Sequence, residues 1–267
     1  MTEKLLLICL FTMTIHMIET LSHAVRLAGV RVAKLAVAIS LFNMAVIVSR
    51  TANTFQATLT GSLVDAARGN QQIEMLKDQF HIILGSASLG TVVGMILLPT
   101  FVGLFSRAII QLEHAGSIPQ LVRNTMTIHH LTLAKKHLRW PKWEMVSRMR
   151  IGGIPKRLLL LNIVGTAVYT VGVLAALYAS VLAPEFSATA QSASGWINGL
   201  AVIVLLIFVD PKIALLTEQV MQGKQELWTI DKIVGLLMVT RLLGTLLAQI
   251  LLLPAAHWVA WVSSIFG

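Results

Sequence analysis

Six mostly apolar stretches, each close to twenty residues long, are separated by segments that hold nearly all of the charge. They fall at about 5–22, 35–54, 80–106, 158–183, 195–217 and 233–254. A helix rises 1.5 Å per residue, so about twenty residues cross the ~30 Å hydrocarbon core of a bilayer. The chain therefore reads as all-α: a polytopic membrane helix bundle of about six spans, forming a single membrane domain over residues 1–267. The third span is interrupted by Gly85, Gly90, Gly94, Pro99 and Gly103, which makes it a candidate for a kink or a break. The fifth carries Asp210-Pro211 near its end.

Composition agrees with this picture. The 267 residues are 56% hydrophobic and only 12% charged, against about 25% charged in soluble domains, which excludes a soluble enzyme. The single cysteine, Cys9, excludes an intramolecular disulfide. A net charge of +9 invites a nucleic-acid reading, but the distribution of the basic residues gives a different answer. Sixteen of the 21 lie in three alternate loops, ten of them between 107 and 157, and only Lys4, Arg68 and Lys77 lie on the opposite side. By the positive-inside rule both termini face outward and the basic loop 107–157 is cytoplasmic, so topology accounts for the charge and no nucleic-acid partner is expected. A cleaved signal peptide ending near Ser22-His23-Ala24 is the competing reading. It would place the ten-charge loop outside, and His16 and Glu19 do not suit a signal core.

Within loop 107–157, Leu121, Val122, Met126, Ile128, His129, Leu131 and Leu133 are mixed with Lys135, Lys136 and Arg139, followed by Trp140-Pro141-Lys142-Trp143. This predicts an amphipathic helix on the inner leaflet, held by anionic lipid at about 1 kcal/mol per basic residue. A solvated topogenic loop is the alternative.

Ionisable residues inside spans are costly and by default mark a pathway, a pairing or a ligand site. Span one places Thr12, His16, Glu19 and His23 on one helical face. Span two places Ser40, Asn43, Arg50 and Asn53 on one side, span four holds Asn162, Thr166 and Tyr169, and span six holds Arg241 and Gln249. Such stripes face a bundle interior or an aqueous cavity, since lipid cannot satisfy them. Their depths separate Glu19 from Arg50 but leave a Glu19–Arg241 ion pair within reach. For Arg50, snorkelling to the outer interface is the competing structural role. His16 and Glu19 have metal-ligand spacing but no third ligand on a partner span, so no metal site and no cofactor are expected. No HExxH, GxSxG or P-loop pattern occurs, which points to a carrier or scaffold and not to an enzyme.

His16-Met17-Ile18-Glu19-Thr20-Leu21-Ser22, Val25-Arg26-Leu27-Ala28-Gly29-Val30-Arg31, Ser40-Leu41-Phe42-Asn43, Ser49-Arg50-Thr51-Ala52-Asn53 and Gln56-Ala57 together resemble the Amj family of alternate lipid II flippases. The resemblance is strongest over about residues 10–65. It implies a multi-pass protein of the bacterial plasma membrane that moves undecaprenyl-pyrophosphate-linked disaccharide-pentapeptide, lipid II, to the outer leaflet for peptidoglycan synthesis. Arginine suits such cargo because its fork grips phosphate bidentately and is less costly to desolvate than ammonium. The expected substrate-binding residues are Arg26, Arg31, Asn43, Arg50, Asn53 and Arg241, with His16 and Glu19 as a coupling group or structural ion pair. The expected mechanism is alternating access. Lipid II and anionic membrane lipids are the expected partners, with cell-wall synthesis proteins as further candidates. The alternative function is a non-transporting scaffold that binds lipid or a protein partner.

Overall fold

The computed structural model describes residues 2–69, 73–116, 120 and 153–266. Most of the basic loop, including the amphipathic helix expected there, lies outside these residues. Among the described residues, six helical segments are long and apolar enough to cross a membrane. In chain order they are α1 (Thr2–Arg31), α2 (Leu35–Gly69), α3 (Ile73–Ala115), α4 (Lys156–Leu182), a fifth span made of α5 (Ser187–Val204) and α6 (Asp210–Met221), and α7 (Leu227–Phe266). No strand occurs among the described residues. The chain is an all-helical, multi-pass membrane protein.

The helices run further than the apolar stretches that announce them, because polar turns continue the hydrogen-bond ladder past the edge of the hydrocarbon. Arg26 and Arg31 consequently lie on α1 and not in a loop. The turn from α1 to α2 is only three residues long. Lys34 N–H donates to the Gly29 carbonyl and Ala33 N–H to that of Val30, with Ala33 left-handed at φ 55°. This is the Schellman closure that glycine usually supplies, here accepted by an alanine. Gly223 supplies it at the end of α6, where Lys224 N–H reaches Gln219. α3 is unbroken through Pro99. The fifth span is the irregular one: a wide π-helical turn, Leu205–Val209, separates α5 from α6 directly before Asp210-Pro211.

Spans one to three pack on each other, as do spans four to six, and the two sets meet principally through α3 against α7. Small residues permit the closest approaches. A methyl at Gly90 would overlap the Met13 backbone, and one at Gly94 would lie 2.8 Å from Thr20 Cβ, so a Gly-x-x-x-Gly face of α3 seats α1. Gly244 similarly brings α7 against Ile163 and Thr166 of α4. At the end holding the termini, Leu63, Phe80, Tyr178 and Leu252 fill the seam between the two sets. At the other end, which the charge count assigns to the cytoplasm, a second apolar cluster around Leu27, Leu98, Leu158, Ile233 and Leu237 covers only one flank. The opposite flank of the seam is hollow.

Candidate functional site

A cavity of about 610 Å³ occupies that hollow. α1 contributes Glu19, Ser22, His23 and Arg26; α2 contributes Leu35, Ile39, Phe42, Asn43, Ile47 and Arg50; and α4 contributes Asn162, Thr166 and Tyr169. Leu205, Leu206 and Asp210 come from the fifth span and Arg241 from α7. The wall on α2 runs from Leu35 to Arg50, about 22 Å of helix. α2 does not pack substantially on the fifth span, and Ile39, Ile47 and Leu206 are exposed between them. The cavity therefore has an apolar lateral edge facing the bilayer.

Charge crosses the cavity in pairs. Arg241 Nη2 donates to Glu19 Oε2, joining α7 to α1, and Ser49 of α2 donates to Glu19 Oε1 at 2.9 Å. Arg26 Nη2 donates to Asp210 Oδ1 at 2.9 Å, joining α1 to α6, and the guanidinium lies over the Phe42 ring at 4.0 Å. Arg26 and Arg241 side chains are each 12% exposed, and desolvated guanidiniums survive there because each faces a carboxylate. Both forks are half used, since Arg26 Nη1 and Arg241 Nε are buried and have no hydrogen-bond partner among the described residues. Tyr169 OH and Thr166 Oγ1 are likewise buried without one. Arg50 is exposed on the cavity wall and forms no ion pair among the described residues. The arrangement can grip an anion at several points, because each phosphoryl oxygen accepts from more than one N–H.

The structure brings Glu19, Arg26, Asn43, Arg50 and Arg241 to one cavity, with His23, Asn162, Thr166 and Tyr169, and leaves Arg31, His16 and Asn53 outside it. Arg31 is exposed and pairs with Asp231 at 3.0 Å. His16 and Asn53 line a small separate pocket with Thr12 and Gln56, bounded also by Tyr169, which borders both spaces. Gln249 is spent on His81 of α3, donating to its carbonyl at 3.1 Å. Asn162 donates to Thr240 Oγ1 at 2.8 Å and to the Leu237 carbonyl, tying α4 to α7. No group of three or more potential metal ligands gathers among the described residues. Asp210 joins the sequence-derived residues on the cavity wall, and a carboxylate ahead of a proline in an apolar span carries the same sequence signal as Glu19.

No solved structure matches this chain. The curated protein named lipid II flippase Amj, from Bacillus subtilis strain 168, is 45% identical over 267 residues, covering 99% of this chain and 98% of that one. The model of the family described as "Amj: Alternate to MurJ" matches residues 11–263. Agreement over nearly the full length, across all six spans, means that this chain belongs to the Amj family.

Proposed function

We propose that this multi-pass protein of the bacterial plasma membrane is a lipid II flippase, carrying the undecaprenyl-pyrophosphate-linked peptidoglycan precursor from the inner to the outer leaflet. Three arginines on three spans, Arg26, Arg50 and Arg241, facing one cavity carry this reading. A scaffold does not need desolvated cations around a shared space, whereas a diphosphate in transit does.

In this reading the headgroup enters from the cytoplasmic end. The buried N–H groups of Arg26 and Arg241 take the diphosphate, and Asn43 hydrogen-bonds the attached sugar or peptide. Arg50, about 22 Å up from the start of α2, receives the anion nearer the outside. The prenyl chain stays in the bilayer past Ile39, Ile47 and Leu206, so only the polar part requires a protein path. Passage outward requires the seam around Phe80 and Tyr178 to part while the cytoplasmic end closes, which is alternating access. Arg31 and Asn53, outside the cavity, have no part in this path.

The test is complementation of a strain depleted of its main lipid II flippase, scoring survival and arrival of labelled lipid II in the outer leaflet. Wild type rescues, and Arg50→Ala and Arg241→Ala fail at equal membrane abundance. Rescue by both variants, or none by wild type, overturns the reading.

A further inference from the structure

The cavity's two carboxylates differ in how firmly they are held. Glu19 has two partners, Arg241 and Ser49, and its side chain is 10% exposed. Asp210 has one partner, Arg26, and its side chain is 31% exposed on the cavity wall. It stands at the first position after the π-helical turn, where the backbone ladder is already irregular, and Pro211 beside it has no N–H to extend that ladder. Arg26 does not depend on Asp210 alone for its position. The Phe42 ring lies under its guanidinium, and α1 is rigidly seated on α3. The acid can therefore leave while the base stays, and the base has a second buried donor, Nη1, waiting.

We infer that Asp210 is an exchangeable counter-ion for the cargo. A lipid-linked diphosphate replaces the Asp210 carboxylate on Arg26, and the return of that carboxylate displaces the diphosphate so that it moves on. This rests on the headgroup reading above and adds to it a residue that sets release. The physical requirement is general: a site that grips a dianion without a competitor holds it, and turnover needs affinity that can be withdrawn. An internal carboxylate supplies the withdrawal, because Arg26 has an anionic partner both before and after the exchange and is never left unpaired in a desolvated wall.

The experiment uses the full chain in nanodiscs with undecaprenyl diphosphate as the binding probe, and in proteoliposomes with labelled lipid II for transport. Asp210→Asn removes the competitor while keeping the side chain's shape. It is expected to bind the probe about tenfold more tightly and to lower kcat about as much, with KM falling too. Asp210→Glu restores both values toward wild type. A purely structural role for Asp210 would lower kcat or the folded fraction with affinity unchanged or weaker, and that result overturns the inference. Arg26→Gln separates the two claims. If wild type binds the probe no better than Arg26→Gln does, the headgroup reading and this inference fall together. If binding depends on Arg26 yet Asp210→Asn does not tighten it, the counter-ion exchange alone is wrong.

Discussion

The two ends of the seam between spans one to three and spans four to six are joined differently, the one mainly by apolar packing with Arg68 reaching the Ser180 carbonyl at its edge, the other by ion pairs. At the end holding the termini, Phe80 meets Tyr178 edge-on at 6.2 Å between ring centroids, and Leu63 and Leu252 close the remaining space. At the other end, which the charge count assigns to the cytoplasm, three ion pairs among the described residues cross the seam: Glu19–Arg241, Arg26–Asp210 and Arg31–Asp231. Apolar packing is non-directional and loses area steadily when two bodies rock. Ion pairs are discrete and can be exchanged for pairs with a ligand. The difference teaches which end engages the anionic headgroup in the proposed transport and which end must then open. In the proposed cycle this arrangement is the cytoplasm-facing half, and the other half requires the aromatic seam to part.

The largest effect expected is from unpairing the buried ions. Arg241→Ala leaves Glu19 buried without its cation and should cost about 3–5 kcal/mol, read as a lowered unfolding temperature in detergent. The double variant with Glu19→Ala regains most of this loss yet stays inactive, which separates holding the fold from holding the cargo. Next, Phe80→Ala in the apolar half should cost about 3 kcal/mol while flipping per folded molecule persists, since the cluster around Phe80 supplies packing and the cavity arginines lie at the other end. If it abolished flipping outright, the assignment of the two ends would fail. Arg50→Ala should change stability by less than about 0.5 kcal/mol, because the side chain is exposed and forms no ion pair among the described residues, but should lower the flipping rate about tenfold. The smallest effect is at the exposed Arg31–Asp231 pair, where Arg31→Ala should cost about 1 kcal/mol or less and leave transport at the wild-type rate.

Much of this was legible in the sequence, for identifiable reasons. Span number follows from hydropathy because bilayer thickness leaves little freedom. The Glu19–Arg241 pair follows from depth, since helical rise converts residue number into height. What stayed hidden depends on rotation about the helix axis. Arg31 and Arg26 are five residues apart, so they point in different directions; one reaches the cavity and the other reaches Asp231. Asn43, Arg50 and Asn53 share a stripe, yet the wall at Tyr169 assigns Asn53 to a different pocket. Gln249 carries the same polar signal as a ligand-binding amide but is consumed by His81, a partner that only tertiary contact reveals. Asp210 draws its importance from Arg26, 184 positions away in the chain.

The most direct test of the central claim, that cavity guanidiniums hold a lipid diphosphate in transit, is flipping by the purified protein alone. Labelled lipid II is placed in the inner leaflet of proteoliposomes and its arrival outside is timed, with wild type and the Glu19→Ala/Arg241→Ala double variant matched for folded fraction. The account predicts rapid arrival with wild type and the protein-free background rate with the double variant. Equal rates for the two proteins, or background with both, would contradict it.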